Sequence, residues 1–407
     1  FAIGRTHELF QFMAPIRIVL VIGVACVIST LLARPADRQP VLAQREVRIV
    51  LALAGLALAL LPFGVWPGGS LRFLLGAYSK VVIPFLLVVA LATDLAVIRN
   101  LLLAVLVGVG LLGLFTIVDP SIVTSQEYAI ERAYASASYD PNDVALIMAC
   151  GLPLAALGAL ALRGFRRLMA ATVAVICVVA TIMTVSRGGF IGLMFVLVLL
   201  VRRMRSVAAQ VLAALTIVVF LAVAVPGMYW NVMSTIWRPT GSGYVGRGIS
   251  SRLDHWERGL RLFVHHPLTG VGIGMYHIAD GLVYGRQGGW RTVHNSFLQV
   301  AAELGVLGAA LFATLLAFSV GNARRAQRAA RDAPLDPELG WIAAAAETSL
   351  YAFMVMAFAL SQAYAPMLYF LVGVAAALRL HVGHRQRSVL QHDTPPRGPW
   401  VPLRAPS

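Results

Sequence analysis

Residues 99–118 read RNLLLAVLVGVGLLGLFTIV, and no charged residue follows Arg99 in this segment. An α-helix needs about 20 mostly apolar residues to cross the hydrocarbon core of a bilayer. Similar segments lie at 15–33, 47–65, 73–93, 143–162, 167–185, 188–202, 207–226, 295–320, 340–360 and 362–380. Because lipid offers the backbone no hydrogen-bond partners, such segments must be helical. The sequence predicts an all-α polytopic membrane protein with about 11 transmembrane helices visible, and we expect 12 in the full chain, with one before Phe1.

The composition supports a membrane protein. Of the 407 residues, 59% are AVILMFWYC and 13% are charged, whereas soluble domains have about 45–50% apolar and about 25% charged residues. A cytosolic globular protein, a disordered chain and a nucleic-acid-binding module are therefore excluded. Cys26, Cys150 and Cys177 lie in apolar segments without CxxC spacing, so we expect neither a disulfide nor a metal site from them.

The arginines predict the orientation, because cytoplasmic connections of membrane proteins are enriched in Lys and Arg. Every second connection is Arg-rich, and this alternation places the C-terminal tail inside and residues 1–14 outside. We divide the chain into N-terminal helices, a large outer loop, C-terminal helices and a disordered cytoplasmic tail, at 1–226, 227–294, 295–383 and 384–407.

The outer loop carries more positive charge than the orientation rule predicts. Its only acidic residues are Asp254, Glu257 and Asp280. Its arginines are Arg238, Arg247, Arg252, Arg258, Arg261, Arg286 and Arg291. Arg187, in the tight turn Ser186–Gly189, falls on the same face. We interpret these arginines as a site for an anionic ligand; the alternative is contact with lipid phosphates or with solvent.

Residues 251–263, SRLDHWERGLRLF, predict an amphipathic helix with Ser250 or Ser251 as its cap. Its apolar stripe would lie on the bundle or on the membrane surface. Arg252 would then stand in the first turn, where a phosphate could bind both its guanidinium and the free N–H groups of the helix.

His294 lies at the outer end of a predicted membrane helix. We interpret it as a general base, and the alternative is an interfacial histidine without a catalytic role. Nearby arginines would favour its neutral, proton-accepting form. We expect Glu303, two turns deeper, to be hydrogen-bonded and structural. The glycine-rich run at 270–274 predicts a turn with close backbone approach rather than a phosphate loop, and His265 and His266 lack the neighbours of a metal site.

Three stretches together resemble the O-antigen ligase and polymerase superfamily. They are Ser186-Arg187-Gly188-Gly189, then Ser251-Arg252 through Trp256 with His266-Pro267-Leu268-Thr269-Gly270-Val271-Gly272, then His294-Asn295-Ser296-Phe297 with Glu303-Leu304-Gly305. The resemblance covers roughly residues 140–320 by motif and the whole chain by helix count.

The resemblance implies a metal-independent inverting glycosyltransferase, without cofactor, in the bacterial inner membrane. Its active site would be periplasmic, its donor an undecaprenyl-pyrophosphate-linked glycan and its acceptor lipid A–core oligosaccharide, giving lipopolysaccharide. We expect the membrane lipids to be further partners, and we expect no nucleic-acid partner.

Residue by residue, the resemblance implies that Arg187 and Arg252 hold the pyrophosphate and that His294 takes the proton of the acceptor hydroxyl. Arg258, Arg247 and Arg291 are candidates for further phosphate contacts, and Arg247 and Arg252 could exchange roles.

Three alternatives remain open at this point. The same lipid-linked donor serves O-antigen polymerases and protein-glycan ligases in this superfamily. A transporter of lipid-linked oligosaccharide would instead show an internal repeat or a water-filled path past Glu303. A scaffold protein would keep its activity when His294 and the two arginines are replaced.

Overall fold

The computed structural model describes residues 3–10, 12, 18–32, 41–92, 94–125, 130–225, 227–234, 236, 244–285, 290–332 and 337–392. Its helices, in chain order, are α1 (Thr6–Leu9), α2 (Ile18–Leu32), α3 (Arg45–Ala59), α4 (Pro67–Phe73), α5 (Ser79–Leu91), α6 (Leu95–Val118), α7 (Pro141–Ala161), α8 (Gly164–Met183), α9 (Arg187–Arg202), α10 (Val207–Ala224), α11 (Gly227–Ser234), α12 (Tyr244–His265), α13 (Tyr276–Tyr284), α14 (Ser296–Asp332), α15 (Pro337–Ala357) and α16 (Pro366–His392).

Helices occupy all eleven predicted apolar segments. Among the described residues, seven are long and apolar enough to cross a membrane: Pro67–Leu91, Leu95–Val118, Pro141–Ala161, Gly164–Met183, Ser296–Asp332, Glu338–Ala357 and Pro366–His384. The first of these joins α4 and α5 through a π-turn at Leu74–Tyr78. The chain is thus a multi-pass helical membrane protein, and the count of eleven spans stays a prediction.

Two short strands depart from the all-α expectation. β1 (Ser121–Ser125) and β2 (Ile130–Tyr134) pair antiparallel, with Ile122 opposite Ala133. Both strands lie in the acidic connection between α6 and α7, where β-branched residues such as Ile122 and Val123 favour extended backbone.

The apolar core joins α3, α5 to α9 and α14 to α16. Of the seven spans, α7, α15 and α16 are the most buried, with 72%, 67% and 67% of their most apolar windows inside the protein. These three helices therefore form the rigid centre on which the outer connections rest.

Arginine contacts mark one end of the bundle. Arg203, just after α9, donates to Gln327 Oε1 at 3.1 Å and to Glu347 Oε2 at 3.0 Å. Arg45, at the start of α3, donates to Asn322 Oδ1 at 2.8 Å. Because α9 and α14 both reach this end with their C-terminal halves, the residues at their N-termini lie at the opposite end. The segment after α9 and the start of α3 therefore lie at the same end of the bundle as the C-terminal half of α14.

A kink in α14 shapes the opposite end. Gly305 has a φ of 66°, which leaves the carbonyls of Ala302 and Glu303 to accept hydrogen bonds from Val271 N–H at 2.9 Å and Gly272 N–H at 3.0 Å. A Cβ on Gly270 would lie 2.3 Å from the Glu303 backbone. The glycine run at 270–274 is therefore a close-approach turn, as the sequence predicted.

The tail differs from its prediction. α16 continues to His392, so the first residues of the segment 384–407 are helical rather than disordered, because the apolar helix before them propagates into the polar sequence. Residues 393–407 lie outside the described residues.

Candidate active site

α9 begins at Arg187, in the first helical position rather than in the turn where the sequence placed it. Ser186 is the N-cap, and its Oγ accepts a hydrogen bond from Gly189 N–H at 3.1 Å. Val185 before it has a φ of 45°, a rare conformation for a β-branched residue. Arg187 therefore belongs to the first turn of α9, where the partial positive charge of the helix N-terminus also favours an anion.

A second arginine, Arg132 of β2, pins this turn to the start of α7. Its Nε donates to the Thr184 carbonyl at 3.0 Å and its Nη2 to Asn142 Oδ1 at 2.8 Å. The same Asn142 oxygen accepts from Ser186 Oγ at 2.8 Å. The strained turn that carries Arg187 is thus held from both sides.

α12 departs from the predicted helix at its start. It begins at Tyr244, so Ser250 and Ser251 are not its caps and Arg252 does not stand in its first turn. Glycines cost a helix about 1 kcal/mol each but do not end it, and the helix extends back through Gly246 and Gly248. The predicted phosphate site at the α12 N-terminus is therefore wrong.

The apolar stripe of α12 is divided between the protein and its surroundings. Leu253 and Leu260 are 54% and 52% exposed, while Trp256 and Phe263 are partly buried against a small apolar cluster. Gly259 lets α14 approach, since a Cβ there would lie 2.9 Å from Leu298. Part of the stripe therefore faces the protein and part faces the surroundings.

Arg252 lines a cavity of about 260 Å³ between the first half of α9, the middle of α12 and the C-terminal end of α15. Gly188, next to Arg187, lines the same cavity. The remaining lining residues are mainly apolar: Ile191, Leu253, Trp256, Val355, Phe358 and Ala359. Because Ile191 and Phe358 are 43% and 55% exposed, the cavity adjoins the lipid-facing surface.

His294 precedes α14 in an unusual backbone conformation, with a φ of 51°. A left-handed conformation costs a non-glycine residue about 1–2 kcal/mol. Its N–H donates to Ser361 Oγ at 2.9 Å, and its carbonyl accepts from Trp256 Nε1 at 3.2 Å. Asn295 next to it caps α14 through 3.0 Å hydrogen bonds from Phe297 N–H and Leu298 N–H.

The imidazole of His294 is half-buried among positive groups. Its ring centroid lies 5.6 Å from that of His255, and Thr292 Oγ1 lies 3.3 Å from its Nε2. Burial first, then the charges of Arg252, His255 and Arg291, lower the pKa of His294 from the usual 6.5 to about 4, while Asp140 opposes them. The predicted neutral form of His294 is thus the form that this environment favours.

The other predicted arginines have different surroundings. Arg258 contacts Asp280 at 3.7 Å and stacks over Tyr284 at 4.7 Å, so its guanidinium is engaged by the protein itself. Arg291 is exposed, and its Nη1 lies 3.4 Å from His255 Nε2. Arg247 lies in α12 but outside the residues whose side chains are described.

Backbone strain concentrates around these residues. The described part of the chain has five non-glycine residues with positive φ: Arg5, Ser136, Val185, Trp290 and His294. Val185 comes two residues before Arg187, and Trp290 directly precedes Arg291. Strained residues persist where the surroundings fix them, and they are frequent at functional sites.

Glu303 has the structural role that the sequence predicted. Its Oε2 accepts hydrogen bonds from Gly274 N–H at 2.9 Å and Tyr364 Oη at 2.8 Å, and its Oε1 accepts from Tyr276 N–H at 3.4 Å. The carboxylate therefore ties the glycine turn and α13 to α14.

Sequence reasoning missed several neighbours of the site. Arg132, Asn142, His255 and Ser361 were not among the predicted site residues. The run Asp140-Pro141-Asn142-Asp143 is a helix-start signature, confirmed by the capping box of α7, and it could have placed Asn142 at the outer end.

Residues 172–313, from α8 to α14, match the family model described as O-antigen ligase. This part of the chain resembles the O-antigen ligase family. The matched range contains Arg187, Arg252 and His294, the residues on which the resemblance depended. No curated protein matches the chain.

The apolar helices indicate a multi-pass membrane protein, and its matched part is similar to enzymes of the ligase and polymerase type. That family in general uses a lipid-linked glycan and lipid A–core as partners.

Proposed function

We propose that the protein is an O-antigen ligase that transfers a glycan from undecaprenyl pyrophosphate to a hydroxyl of lipid A–core oligosaccharide. The reaction takes place on the periplasmic face of the bacterial inner membrane. The observation that carries the proposal is the meeting of three groups at one end of the bundle: the Arg187 helix start, Arg252 and an uncharged His294.

The chemistry is a single displacement. The acceptor oxygen attacks the anomeric carbon, the bond from that carbon to the pyrophosphate oxygen breaks, and its electron pair leaves with the lipid pyrophosphate. Arg187 and Arg252 stabilise the negative charge that develops there. A ring nitrogen of His294 takes the hydroxyl proton. Arg291 is the best placed further phosphate contact, because it is exposed beside His255, whereas Arg258 is withdrawn by Asp280.

The apolar cavity supports a lipid-linked donor. It lies beside Arg252 and Gly188 and adjoins the exposed residues Ile191 and Phe358. A prenyl chain in the outer leaflet can thus place its first units in the cavity while its pyrophosphate stays at the arginines.

The test is glycan transfer by the purified chain in liposomes, with undecaprenyl-pyrophosphate-linked glycan, lipid A–core and EDTA. Transfer to lipid A–core in the presence of EDTA is expected. Extension of the donor glycan instead would identify a polymerase, transfer only to a protein acceptor a protein-glycan ligase, and movement of donor across the bilayer without transfer a transporter.

We expect kcat/KM to stay at its maximum as the pH is lowered to values well below 6.5. A base must be unprotonated to accept a proton, so activity is present above its pKa and is lost as the pH falls through it. Since the pKa of His294 is lowered to about 4, the acid limb should lie near that value. Arg252→Gln removes one positive charge and should move the limb toward higher pH.

The control for this profile is Arg261→Gln, because Arg261 is 61% exposed and pairs with Glu257 on the outer side of α12. The limb should not move in that variant. An acid limb at or above pH 6.5 in the wild-type enzyme would contradict the assignment of His294 as the base.

A further inference from the structure

The backbone of His294 is the starting point. Its φ of 51° is a conformation that the chain does not adopt without outside support. Both of its backbone polar groups bond to side chains: the N–H to Ser361 Oγ at 2.9 Å and the carbonyl to Trp256 Nε1 at 3.2 Å. These two residues come from different elements, α12 and the connection between α15 and α16.

Ser361 is itself held in place. The Ser296 Oγ donates to the Leu360 carbonyl at 2.7 Å and accepts from Gln362 N–H at 2.9 Å. The Gln362 side chain reaches Asp143 of α7 at 2.5 Å. The residues on both sides of Ser361 are thus tied to α14 and α7, so its hydroxyl is a fixed acceptor.

Trp256 is held on the other side. It packs against the apolar cluster of Leu262, Tyr276 and Val293. One residue earlier, the carbonyl of His255 accepts from Tyr276 Oη at 3.2 Å. The indole N–H therefore presents a donor from a rigid part of α12.

We propose that Trp256 and Ser361 are positioning residues that hold His294 in its left-handed conformation. In this conformation the imidazole is correctly oriented toward Arg252 and the acceptor hydroxyl. This inference rests on the proposed role of His294 as the base. Neither residue touches the reacting atoms; each acts through the backbone of His294. A displacement of about 1 Å at a reacting group can cost roughly 100-fold in rate.

The two contacts can be removed with little change of volume. Trp256→Phe deletes the indole donor, and Ser361→Ala deletes the hydroxyl acceptor, while Ser361→Thr keeps it. We expect kcat for transfer from undecaprenyl-pyrophosphate glycan to lipid A–core to fall roughly 10- to 100-fold in the first two variants. Donor KM should stay within about twofold of wild type in Ser361→Ala, whereas Trp256 also lines the apolar cavity, so donor KM is not a criterion for Trp256→Phe. Ser361→Thr should restore most of the rate.

The matched controls are Trp341→Phe and Ser349→Ala. Trp341 is buried in α15 beside Gly158 of α7, and the Ser349 hydroxyl donates to the Cys150 carbonyl at 2.7 Å. Both should keep wild-type kcat, and thermal melting should show which variants remain folded. In a His294→Asn background, Trp256→Phe and Ser361→Ala should produce no further loss, because their effect passes through His294.

Unchanged kcat in folded Trp256→Phe and Ser361→Ala would overturn the inference, as would an equal loss in Ser361→Thr or an added loss in the His294→Asn background. If Trp256→Phe does not fold, the comparison of Ser361→Ala with Ser361→Thr still tests the inference. Wild-type turnover by His294→Asn itself would overturn the proposed role of His294, a result distinct from failure of the two positioning residues.

Discussion

His294→Asn is expected to lower kcat for glycan transfer by roughly 100- to 10,000-fold, the usual contribution of a general base, while the chain stays folded. Asparagine tolerates the left-handed backbone conformation that His294 adopts with a φ of 51°. It keeps the backbone N–H and carbonyl that bond to Ser361 and Trp256. Its side-chain amide, however, cannot take the proton of the acceptor hydroxyl. The loss of rate would then reflect chemistry rather than stability.

Chemical rescue separates the lost base from other effects of the substitution. His294→Gly also accepts the positive φ and leaves a space for added imidazole. Free imidazole should raise its rate, with a pH dependence that follows the neutral form of the added imidazole. Residual activity of His294→Asn within tenfold of wild type, or no rescue in a folded glycine variant, would contradict the assignment of His294 as the base.

Arg187→Gln and Arg252→Gln are each expected to lower kcat by roughly 100- to 1,000-fold, the effect of removing one fixed group that stabilises developing negative charge. Arg187 is the first residue of α9, and Arg252 lines the cavity that Gly188 also lines. Lysine at either position should recover only part of the rate, since it offers a point charge and not a planar fork.

The measurement is kcat and KM for the lipid-linked donor in the same liposome assay, with Arg261→Gln as the matched control. Arg261 lies on α12 like Arg252, but it is exposed and paired with Glu257 at 2.5 Å. It should keep at least half of the wild-type rate. Equal losses in Arg252→Gln and Arg261→Gln would mean that general positive charge on α12, and not a fixed contact, supports the reaction.

The membrane segments could be predicted from the sequence because lipid requires apolar side chains and a helix that forms all its own backbone hydrogen bonds. All eleven predicted segments are helical, and the position of the glycine turn at 270–274 and the hydrogen bonding of Glu303 were predicted correctly. These features depend on composition and local spacing, which a single sequence displays directly.

The start of α12 and the surroundings of the arginines could not be read in the same way. Ser250 and Ser251 are good caps, but cap propensity is only about 1 kcal/mol, and the helix continues back to Tyr244. Arg258 and Arg291 look alike in the sequence, yet Asp280 engages the first, while the second stays exposed beside His255. Which arginine meets a carboxylate depends on tertiary contacts.

The contacts that hold His294 have no local signal. Ser361 lies 67 residues and Trp256 lies 38 residues from it along the chain, and serine and tryptophan occur in many other roles. The positive φ of a histidine is likewise invisible in a sequence, because histidine tolerates several backbone regions. Only the fold brings these groups together around the residue that the family pattern singled out.

In the proposed reaction, the acceptor hydroxyl, activated by His294, displaces the pyrophosphate in one step. The most direct test is the anomeric configuration of the new bond, determined by NMR on the product of transfer from a donor of known configuration. A single displacement predicts inversion at the anomeric carbon. Retention of configuration would contradict the account, because a single displacement from the side opposite the pyrophosphate cannot retain the configuration.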